Sequence, residues 1–217
     1  MVDFSEQRLH MIKNQLMPCG VSDPFLLKIL AQVHRENFLP DAIKPLAYQD
    51  ETICLDSNRY MLRPNTLMRM ILGLQIQAGD HVLDAGCLTG YSAILLSFLA
   101  THVTALEKDK TYIEIAKKMA SMEGTSNIEF KNITPEEILA SEKTYDAILV
   151  QEAHAVLPPY YSQLLKDQGR IVYIRQNAEN YGQVICGQKN YGELSEKALF
   201  EISAPYMPQP PASEFIF

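Results

Sequence analysis

A glycine-containing segment at positions 83–91 carries the strongest chemical signal in the sequence. It reads Leu-Asp-Ala-Gly-Cys-Leu-Thr-Gly-Tyr, follows a short apolar run and opens a run with helical spacing. Glycine lets the backbone approach a ligand closely, and the start of a helix offers free N–H groups. Open α/β sheets bind ligands at the carboxyl ends of their strands. The segment therefore predicts a nucleotide-type site, with a plain strand-to-helix turn as the alternative.

The glycine spacing and one carboxylate indicate which ligand this site would take. A dinucleotide fingerprint places glycines in G-x-G-x-x-G order to admit a pyrophosphate, but here only Gly86 and Gly90 are present, with Leu88 between them. Asp84 would repel a pyrophosphate and suits a cationic ligand. S-adenosylmethionine has an ammonium group, a sulfonium and no phosphate. We therefore predict S-adenosylmethionine as the cofactor and S-adenosylhomocysteine as its product.

A second carboxylate, Glu107, ends the next apolar run about twenty residues after the glycine turn. A carboxylate at this point can accept hydrogen bonds from both ribose hydroxyls of a nucleotide cofactor. The spacing fits NAD and S-adenosylmethionine equally, and an exposed strand-end acid would look the same. Combined with Asp84, the cofactor role is favoured, and a nicotinamide-dependent oxidoreductase stays a remote alternative.

The helices and strands that must position these residues are predicted by the pattern of apolar residues along the chain. Strands predicted at 81–86, 102–107, 127–132, 145–150 and 169–174 alternate with helices predicted at 91–99, 112–122, 135–139 and 158–166. Such alternation predicts an α/β fold with a mostly parallel sheet and helices on both faces. Two further strands, 181–190 and 197–206, have no helix between them and predict an antiparallel edge. We expect the proline-rich tail, Pro205 to Phe217, to lie over the domain.

The first third of the chain reads as a helical extension. Helical spacing is present at 5–17, and Asp23-Pro24 is a good start for a second helix through Val33. Loop-like chain follows through 52–60, and Pro64 opens a helix that we expect Gly79-Asp80 to end. We predict a single domain, with residues 1–63 as an N-terminal helical or lid extension and 64–217 as a Rossmann-like core.

The composition excludes several classes of partner and site. The chain has 217 residues, a net charge of −7 and no basic run, which disfavours nucleic acid. No apolar run reaches the roughly 18 residues of a membrane helix, and the start lacks a signal peptide, so we expect a cytoplasmic protein. The four cysteines form no CxxC pair; we expect reduced, mostly buried thiols and no metal site.

Short segments along nearly the whole chain resemble the protein-L-isoaspartate O-methyltransferase family. They are Asn14-Gln15-Leu16, Gly20-Val21, Asp23, Val33, Arg35-Glu36, Phe38-Leu39-Pro40, Ala47-Tyr48-Gln49-Asp50, Gly90-Tyr91, Tyr145-Asp146-Ala147-Ile148, Leu157-Pro158, Gln163-Leu164-Leu165-Lys166 and Gly169-Arg170. The resemblance implies a seven-stranded, Rossmann-like S-adenosylmethionine-dependent methyltransferase. It also implies methyl transfer to isoaspartyl carboxylates of damaged proteins.

The chain departs from that family at three places. The family's Thr-Ile-Ser-Gln-Pro segment is Tyr60-Met61-Leu62-Arg63-Pro64, and its Gly-Thr-Gly-Ser-Gly turn is 86–90 here. Its Gly-Asp-Gly near the adenine is Asn132-Ile133-Thr134. These changes resemble a paralogous branch, and they concern isoaspartyl specificity more than cofactor binding.

The resemblance and the turn together nominate the site residues. Arg59, Tyr60 and Arg63 lie in the segment that matches the family's active-site loop, and one arginine is expected to orient the acceptor carboxylate, unless both are solvated loop residues. The cofactor-binding candidates are Asp84, Gly86, Cys87, Thr89, Gly90, Tyr91, Glu107, Lys108 and Ile133. His154 and Asp50 are weaker candidates, each more often a structural residue.

An isoaspartyl carboxyl has a pKa near ~4, so it is already an anion at neutral pH and needs no general base. The expected partner is a protein or peptide with an isoaspartyl or other carboxylate, and the expected state a monomer or weak dimer. Two alternatives remain open from the sequence. One is methyl transfer to a different small nucleophile, and the other is a scaffold protein that keeps the fold without turnover.

Overall fold

A seven-stranded sheet forms the centre of the molecule. In a computed structural model, residues 3–56, 59–176 and 181–203 are described. The strands are β3 (His81–Ala85), β4 (His102–Leu106), β5 (Ile128–Lys131), β6 (Tyr145–His154), β7 (Leu165–Gln176), β8 (Tyr181–Asn190) and β9 (Glu193–Ser203). Their order across the sheet is β5-β4-β3-β6-β7-β8-β9.

The sheet is parallel from β5 to β7 and antiparallel at its β8–β9 edge. The crossovers contain α4 (Tyr91–Leu99), α5 (Lys110–Met122), the 3-10 helix Glu137–Ser141 and α6 (Tyr160–Leu164). Parallel neighbours need such crossovers, whereas β8 and β9 are joined by a short turn. The predicted Rossmann-like fold class, including the antiparallel edge, is confirmed.

The N-terminal part is mostly helical. Helix α1 (Phe4–His10) continues as a π-helix (Met11–Leu16) and a 3-10 turn (Met17–Cys19). Helix α2 (Pro24–Gln32) begins as predicted, because the Oδ1 of Asp23 accepts a hydrogen bond of 2.7 Å from the backbone N–H of Leu26. Two 3-10 helices follow (Arg35–Phe38 and Asp41–Leu46), and α3 runs over Pro64–Gly73.

A small hairpin lies where we expected only a loop. Strand β1 (Ile53–Asp56) pairs antiparallel with β2 (Arg59–Met61), with Ile53 opposite Met61. Both of these side chains are buried, so one face of the hairpin packs into the core. The prediction of loop over 52–60 was therefore wrong, because strands this short carry too few residues for an alternating pattern to be read.

Several predicted boundaries also shift, among them the following three. Helix α3 ends at Gly73 and not at Gly79-Asp80, because Gln75 adopts a φ of 48° that an α-helix does not allow. The short helix predicted at 135–139 is a 3-10 helix two residues later, and β9 starts at Glu193 and not at Lys197. The predicted position of the tail, Pro205 to Phe217, lies outside the described residues.

The N-terminal part and one face of the sheet share a single hydrophobic cluster, in which Leu16, Leu30 and Phe38 join Val103 and Val172. Within it lies the charged side chain of Arg35, which is 0% exposed. Arg35 Nε donates to the carbonyl of Ala47 at 2.8 Å, and Nη2 donates to the carbonyl of Leu62 at 2.7 Å. The guanidinium also lies 4.9 Å from the centre of the Tyr91 ring. Arg35 thus ties the extension to the segment before α3 and to the start of α4.

The cysteines differ from expectation in one respect. All four are free, but Cys19 and Cys54 are exposed, Cys186 is partly buried and only Cys87 is buried. Cys19 and Cys54 both lie in the N-terminal part, and the sequence alone did not reveal that their thiols are exposed. Among the described residues, no helix is both long and apolar enough to cross a membrane.

We predict that Arg35→Met lowers the free energy of unfolding by about 3 kcal/mol or more, because two buried carbonyls each lose a charge-assisted hydrogen bond of roughly 1.5–3 kcal/mol. Urea unfolding followed by circular dichroism measures this change. Lys13→Met, at an exposed position of the π-helix, serves as the control and should change stability by less than about 0.5 kcal/mol. An Arg35→Met effect as small as that control would contradict the tethering role.

Candidate active site

A cavity of about 230 Å³ opens where β3, β4 and β6 end. Its lining consists of Arg59, Ala85, Gly86, Leu106, Glu107, Lys108, Ile133, Thr134, Pro135, Glu136, Glu152, Tyr160 and Tyr161. This is the edge at which open α/β sheets bind ligands, because helix starts and strand-end side chains converge there. The cavity is therefore the candidate active site.

The cavity contains some of the residues predicted from the sequence and leaves out others. Arg59, Gly86, Glu107, Lys108 and Ile133 line it. The lining does not include the other candidates, which are Tyr60, Arg63, Asp84, Cys87, Thr89, Gly90 and Tyr91. The structure shows what the side chains of most of this second group do instead.

Asp84 supports the turn from beneath. It is 0% exposed, its Oδ2 accepts from Ser92 Oγ at 2.5 Å, and its Oδ1 accepts from Gln151 Nε2 at 2.9 Å. Burial raises the pKa of Asp84 to about 6, although the hydrogen bonds from Ser92 and Gln151 oppose the rise. Both oxygens are therefore engaged within the protein, and Asp84 joins β3, α4 and β6.

Glycine is required at positions 86 and 90 of the turn for different structural reasons. Gly86 has a φ of 83° and borders the cavity. Gly90 has a φ of 94°, and a Cβ there would lie 2.8 Å from the Cβ of Ala116, so glycine lets α4 pack closely on α5. Leu88 adopts a φ of 52°, a left-handed conformation that costs a side-chain-bearing residue roughly 1–2 kcal/mol. The buried Leu88 side chain packs into the core cluster shared with the N-terminal part.

Two predicted cofactor residues, Thr89 and Tyr91, face the N-terminal part and not the cavity, and a third, Cys87, is buried within the turn. Thr89 Oγ1 donates to the carbonyl of Phe38 at 2.9 Å, and the Tyr91 ring packs edge-on against Phe38 with centroids 5.2 Å apart. Burial raises the pKa of the Cys87 thiol well above its usual value, so it stays protonated and unreactive. These residues hold the turn against the extension.

Glu107 is the central charge of the cavity. Its side chain is 0% exposed, its Oε2 accepts from the backbone N–H of Leu88 at 3.1 Å, and its Oε1 accepts from the backbone N–H of Asp109 at 2.9 Å. Arg59 Nη2 forms an ion pair with the same Oε1. The carboxylate is thus fixed at the end of β4 by the glycine turn, by the start of α5 and by the hairpin.

Arg59 reaches the cavity from β2 and is largely buried. Its Nη1 lies 3.8 Å from Oε1 of Glu152, and its guanidinium carbon lies 5.6 Å from the centre of the Tyr112 ring. The hairpin that sequence reasoning missed therefore delivers one of the two candidate arginines. The other, Arg63, donates from Nε to Thr66 Oγ1 at 3.0 Å, at the start of α3.

The remaining candidates lie outside the cavity lining. Tyr60 is half-buried in β2 opposite Cys54. The Oδ1 of Asp50 accepts from the backbone N–H of Asn65 at 3.2 Å and so supports the start of α3. His154 packs edge-on against Tyr161 with centroids 6.0 Å apart, and burial lowers its pKa, which keeps the imidazole neutral.

Several lining residues were missed from the sequence, among them Glu136, Glu152, Tyr160 and Tyr161. Glu152 carried a usable signal, because it lies near the carboxyl end of the strand next to β3, by the rule that selected Glu107. Gln151 carried no such signal: a glutamine that binds a buried Asp84 looks like any other strand residue. The tyrosines follow Pro158-Pro159 in the helix predicted over 158–166, where an aromatic residue reads as a packing residue.

Comparisons with known proteins point to one enzyme family. A family model described as "Protein-L-isoaspartate(D-aspartate) O-methyltransferase (PCMT)" matches residues 6–208. The chain belongs to this family. It is 31% identical over 169 residues to protein-L-isoaspartate O-methyltransferase 1 of Rhodopseudomonas palustris (strain HaA2), covering 78% of this chain and 69% of that protein.

Two solved structures share the fold. One, called protein-L-isoaspartate O-methyltransferase, has a TM-score of 0.74 at 22% identity and covers 91% of this chain, which spans 64% of the length of that one. The other is a protein-L-isoaspartate O-methyltransferase from Plasmodium falciparum in complex with S-adenosyl-L-homocysteine. It has a TM-score of 0.72 at 17% identity, with 93% of this chain and 96% of that chain covered. The family resemblance inferred from the sequence is confirmed.

We predict a pH-dependent stability difference between the wild type and Asp84→Asn. The pKa of Asp84 is raised in the fold, so its contribution to stability is fully present below about pH 4 and is lost as the pH rises through about 6. The free energy of unfolding of the wild type relative to Asp84→Asn should therefore fall by roughly 2–3 kcal/mol between pH 4 and pH 7.5. Urea unfolding at several pH values measures it.

Asp41→Asn is the control for this experiment. Asp41 is exposed, and Lys44 holds the pKa of its carboxyl below the usual value, so its contribution has the opposite sign, is lost only as the pH falls below about 4, and should change little between pH 4 and pH 7.5. A difference between wild type and Asp84→Asn that stays constant across this pH range would contradict the raised pKa.

Proposed function

We propose that this protein is an S-adenosylmethionine-dependent methyltransferase that methylates carboxylates, above all those of isoaspartyl residues in damaged proteins. The observation that carries the proposal is Glu107, a fixed and fully buried carboxylate at the end of β4, facing the cavity beside the glycine turn. Membership of the family supports both the cofactor and the acceptor.

The chemistry of the lining fits S-adenosylmethionine. Two backbone N–H groups hold Glu107 in place, so its carboxylate is pre-organised to accept from a ribose diol. Gly86 has no side chain to fill the space next to it, and Ile133 offers an apolar surface for a base. Among the predicted cofactor residues, we propose that Gly86, Glu107, Lys108 and Ile133 contact the cofactor, while Asp84, Cys87, Thr89, Gly90 and Tyr91 shape the turn.

The reaction asks little acid–base chemistry of the protein. Bound S-adenosylmethionine supplies an electrophilic methyl group on a sulfonium. A carboxylate acceptor with a pKa near ~4 is already ionised at neutral pH, so no residue has to remove a proton. The protein must orient the acceptor oxygen and exclude water. That requirement agrees with the half-buried His154, whose lowered pKa keeps its imidazole neutral and whose ring packs on Tyr161, a residue of the cavity lining.

Arg59 is our candidate for orienting the acceptor carboxylate. It lines the cavity, and a guanidinium pairs with a carboxylate in a two-pronged manner. Arg63 is less suited, since its Nε is bound to Thr66 at the start of α3. Its ion pair with Glu107 and its distance of 3.8 Å from the more exposed Glu152 support a role between these two carboxylates.

A second candidate function follows from the charge of the lining. Three carboxylates, Glu107, Glu136 and Glu152, line the cavity against two cations, Arg59 and Lys108. Such a surface is more favourable to a neutral or cationic acceptor than to an anion. Methyl transfer to a different small nucleophile, with Glu152 as the proton acceptor, is therefore the alternative that the structure supports.

We predict that S-adenosylhomocysteine binds the wild type with micromolar affinity and that Glu107→Ala weakens binding at least about tenfold, since the ribose loses a charge-assisted hydrogen-bond acceptor. Isothermal titration calorimetry measures both constants. Glu129→Ala is the matched control, because this carboxylate lies on β5, pairs with Lys131 and Lys143, and is outside the cavity lining.

Thermal unfolding of each variant establishes that it is folded before titration. Equal affinity in wild type and Glu107→Ala would remove Glu107 from the cofactor site. No binding by any of the three proteins would reject the proposed cofactor, and with it the proposed reaction.

We predict that the enzyme transfers a labelled methyl group to a peptide containing one isoaspartyl residue and not to the same peptide with ordinary aspartate. The product should be a methyl ester, which alkali hydrolyses with release of methanol. Labelled methanol from the isoaspartyl peptide alone confirms the carboxylate acceptor. Alkali-stable label, or label on an amine of either peptide, favours the second candidate, and no label with any acceptor favours a scaffold.

A further inference from the structure

Arg59 forms an ion pair with Glu107, the carboxylate that the proposed cofactor would bind. We infer that Arg59 competes with the cofactor for Glu107, so that the free protein closes its own cofactor site and the guanidinium leaves Glu107 when the cofactor binds. The inference rests on the proposed function, because it assumes that the ribose of S-adenosylmethionine is bound by Glu107. Arg59 then sets the affinity for the cofactor, and this role is separate from orienting the acceptor carboxylate.

The competition follows from the hydrogen bonds of Glu107. A carboxylate has about four lone-pair directions. Two of them accept the backbone N–H groups of Leu88 and Asp109, and the guanidinium of Arg59 lies against Oε1 as an ion pair. The Glu107 side chain is 0% exposed, so a diol has no separate approach to it. Ribose hydroxyls and the Arg59 guanidinium therefore need the same acceptor positions.

The size of the cavity points in the same direction. Its volume of about 230 Å³ is below the roughly 300–1,000 Å³ of typical small-molecule sites. Arg59 is one of the residues that bound it, and its side chain is only 10% exposed. Movement of this single side chain would enlarge the space beside Glu107 without any change in β3, β4 or the glycine turn.

Arg59 is held loosely enough to move. Its Nε has no hydrogen-bond partner among the described residues, so the guanidinium does not satisfy its five donors at Glu107. The net gain from a buried ion pair is small, because desolvation of both charges offsets much of their attraction. Replacement of Arg59 by a ribose diol at Glu107 therefore costs less free energy than the Coulombic attraction of the pair alone.

A second position for the guanidinium is already present. Glu152 Oε1 lies 3.8 Å from Arg59 Nη1, and the Glu152 side chain is 56% exposed and free to approach. The Tyr112 ring, 5.6 Å away, offers a cation–π surface on the path. Arg59 thus has two carboxylate partners in the free protein, Glu107 and the more distant and more exposed Glu152, and Glu152 can hold it alone when the cofactor binds. In that second position it also becomes available to an acceptor carboxylate.

Calorimetric titration with S-adenosylhomocysteine tests the competition. A residue that blocks a site reduces the apparent affinity by the fraction of molecules that are open. Arg59→Met removes the charge and keeps an unbranched side chain, so it should tighten binding roughly tenfold. Arg69→Met makes the same change on α3, where the arginine stacks on Phe200 outside the cavity lining, and should leave the affinity unchanged.

Glu152→Gln separates the two positions of the guanidinium. If Glu152 receives Arg59, its loss as a charge should weaken S-adenosylhomocysteine binding about threefold to tenfold in the wild-type background, but have no effect in Arg59→Met. Additive effects of the two substitutions would overturn the role of Glu152. They would leave the competition at Glu107 to be judged by Arg59→Met alone.

The outcomes distinguish this inference from the proposed function. Wild type that binds S-adenosylhomocysteine together with an Arg59→Met variant that binds equally or more weakly overturns the competition and leaves the cofactor assignment intact. No binding by either protein overturns both. Thermal unfolding checks each variant, and if Arg59→Met does not fold, Arg59→Lys decides: tighter binding than wild type supports the competition, and equal or weaker binding overturns it.

Discussion

The carboxylate of Glu107, buried at the end of β4, is the constraint on which the site depends. A buried charge is costly unless it is hydrogen-bonded and paired. Here the backbone N–H groups of Leu88 and Asp109 and the side chain of Arg59 supply that compensation. Each comes from a different element: the glycine turn, the start of α5 and the β1–β2 hairpin. Compensation of one charge therefore brings together the parts of the chain that form the cavity.

The turn itself is held from both sides. Beneath it, the buried Asp84 connects to Ser92 and Gln151, and so couples β3 to α4 and β6. On the other side, Thr89 and Tyr91 contact Phe38 of the N-terminal part. Asp84, Thr89 and Tyr91, which the sequence predicted as cofactor ligands, thus fix the backbone of the turn. Of the residues at the turn and at the end of β4, Gly86 and Glu107 border the cavity.

The N-terminal part is more than a cover for the core. Arg35, fully buried, binds the carbonyls of Ala47 and Leu62 and so fixes the chain on both sides of the hairpin that carries Arg59. Because the hairpin sets the position of that arginine, packing in the extension reaches the cavity. The position of Arg59 beside Glu107 consequently depends on contacts within the N-terminal part.

Much of this protein was determined by local patterns in the sequence. Strand–helix alternation predicted the sheet and its antiparallel edge, because buried strands and amphipathic helices have different periods. The strand-end rule selected Gly86 and Glu107, since ligand residues in such folds follow strands at set places. Only the tertiary structure decided the rest. Whether Asp84 faces a ligand or a glutamine, and whether Arg59 or Arg63 reaches the cavity, depends on contacts between residues distant in the chain. A hairpin with strands of four and three residues leaves no periodic trace, and ion pairs such as Arg59–Glu107 join segments that no local spacing relates.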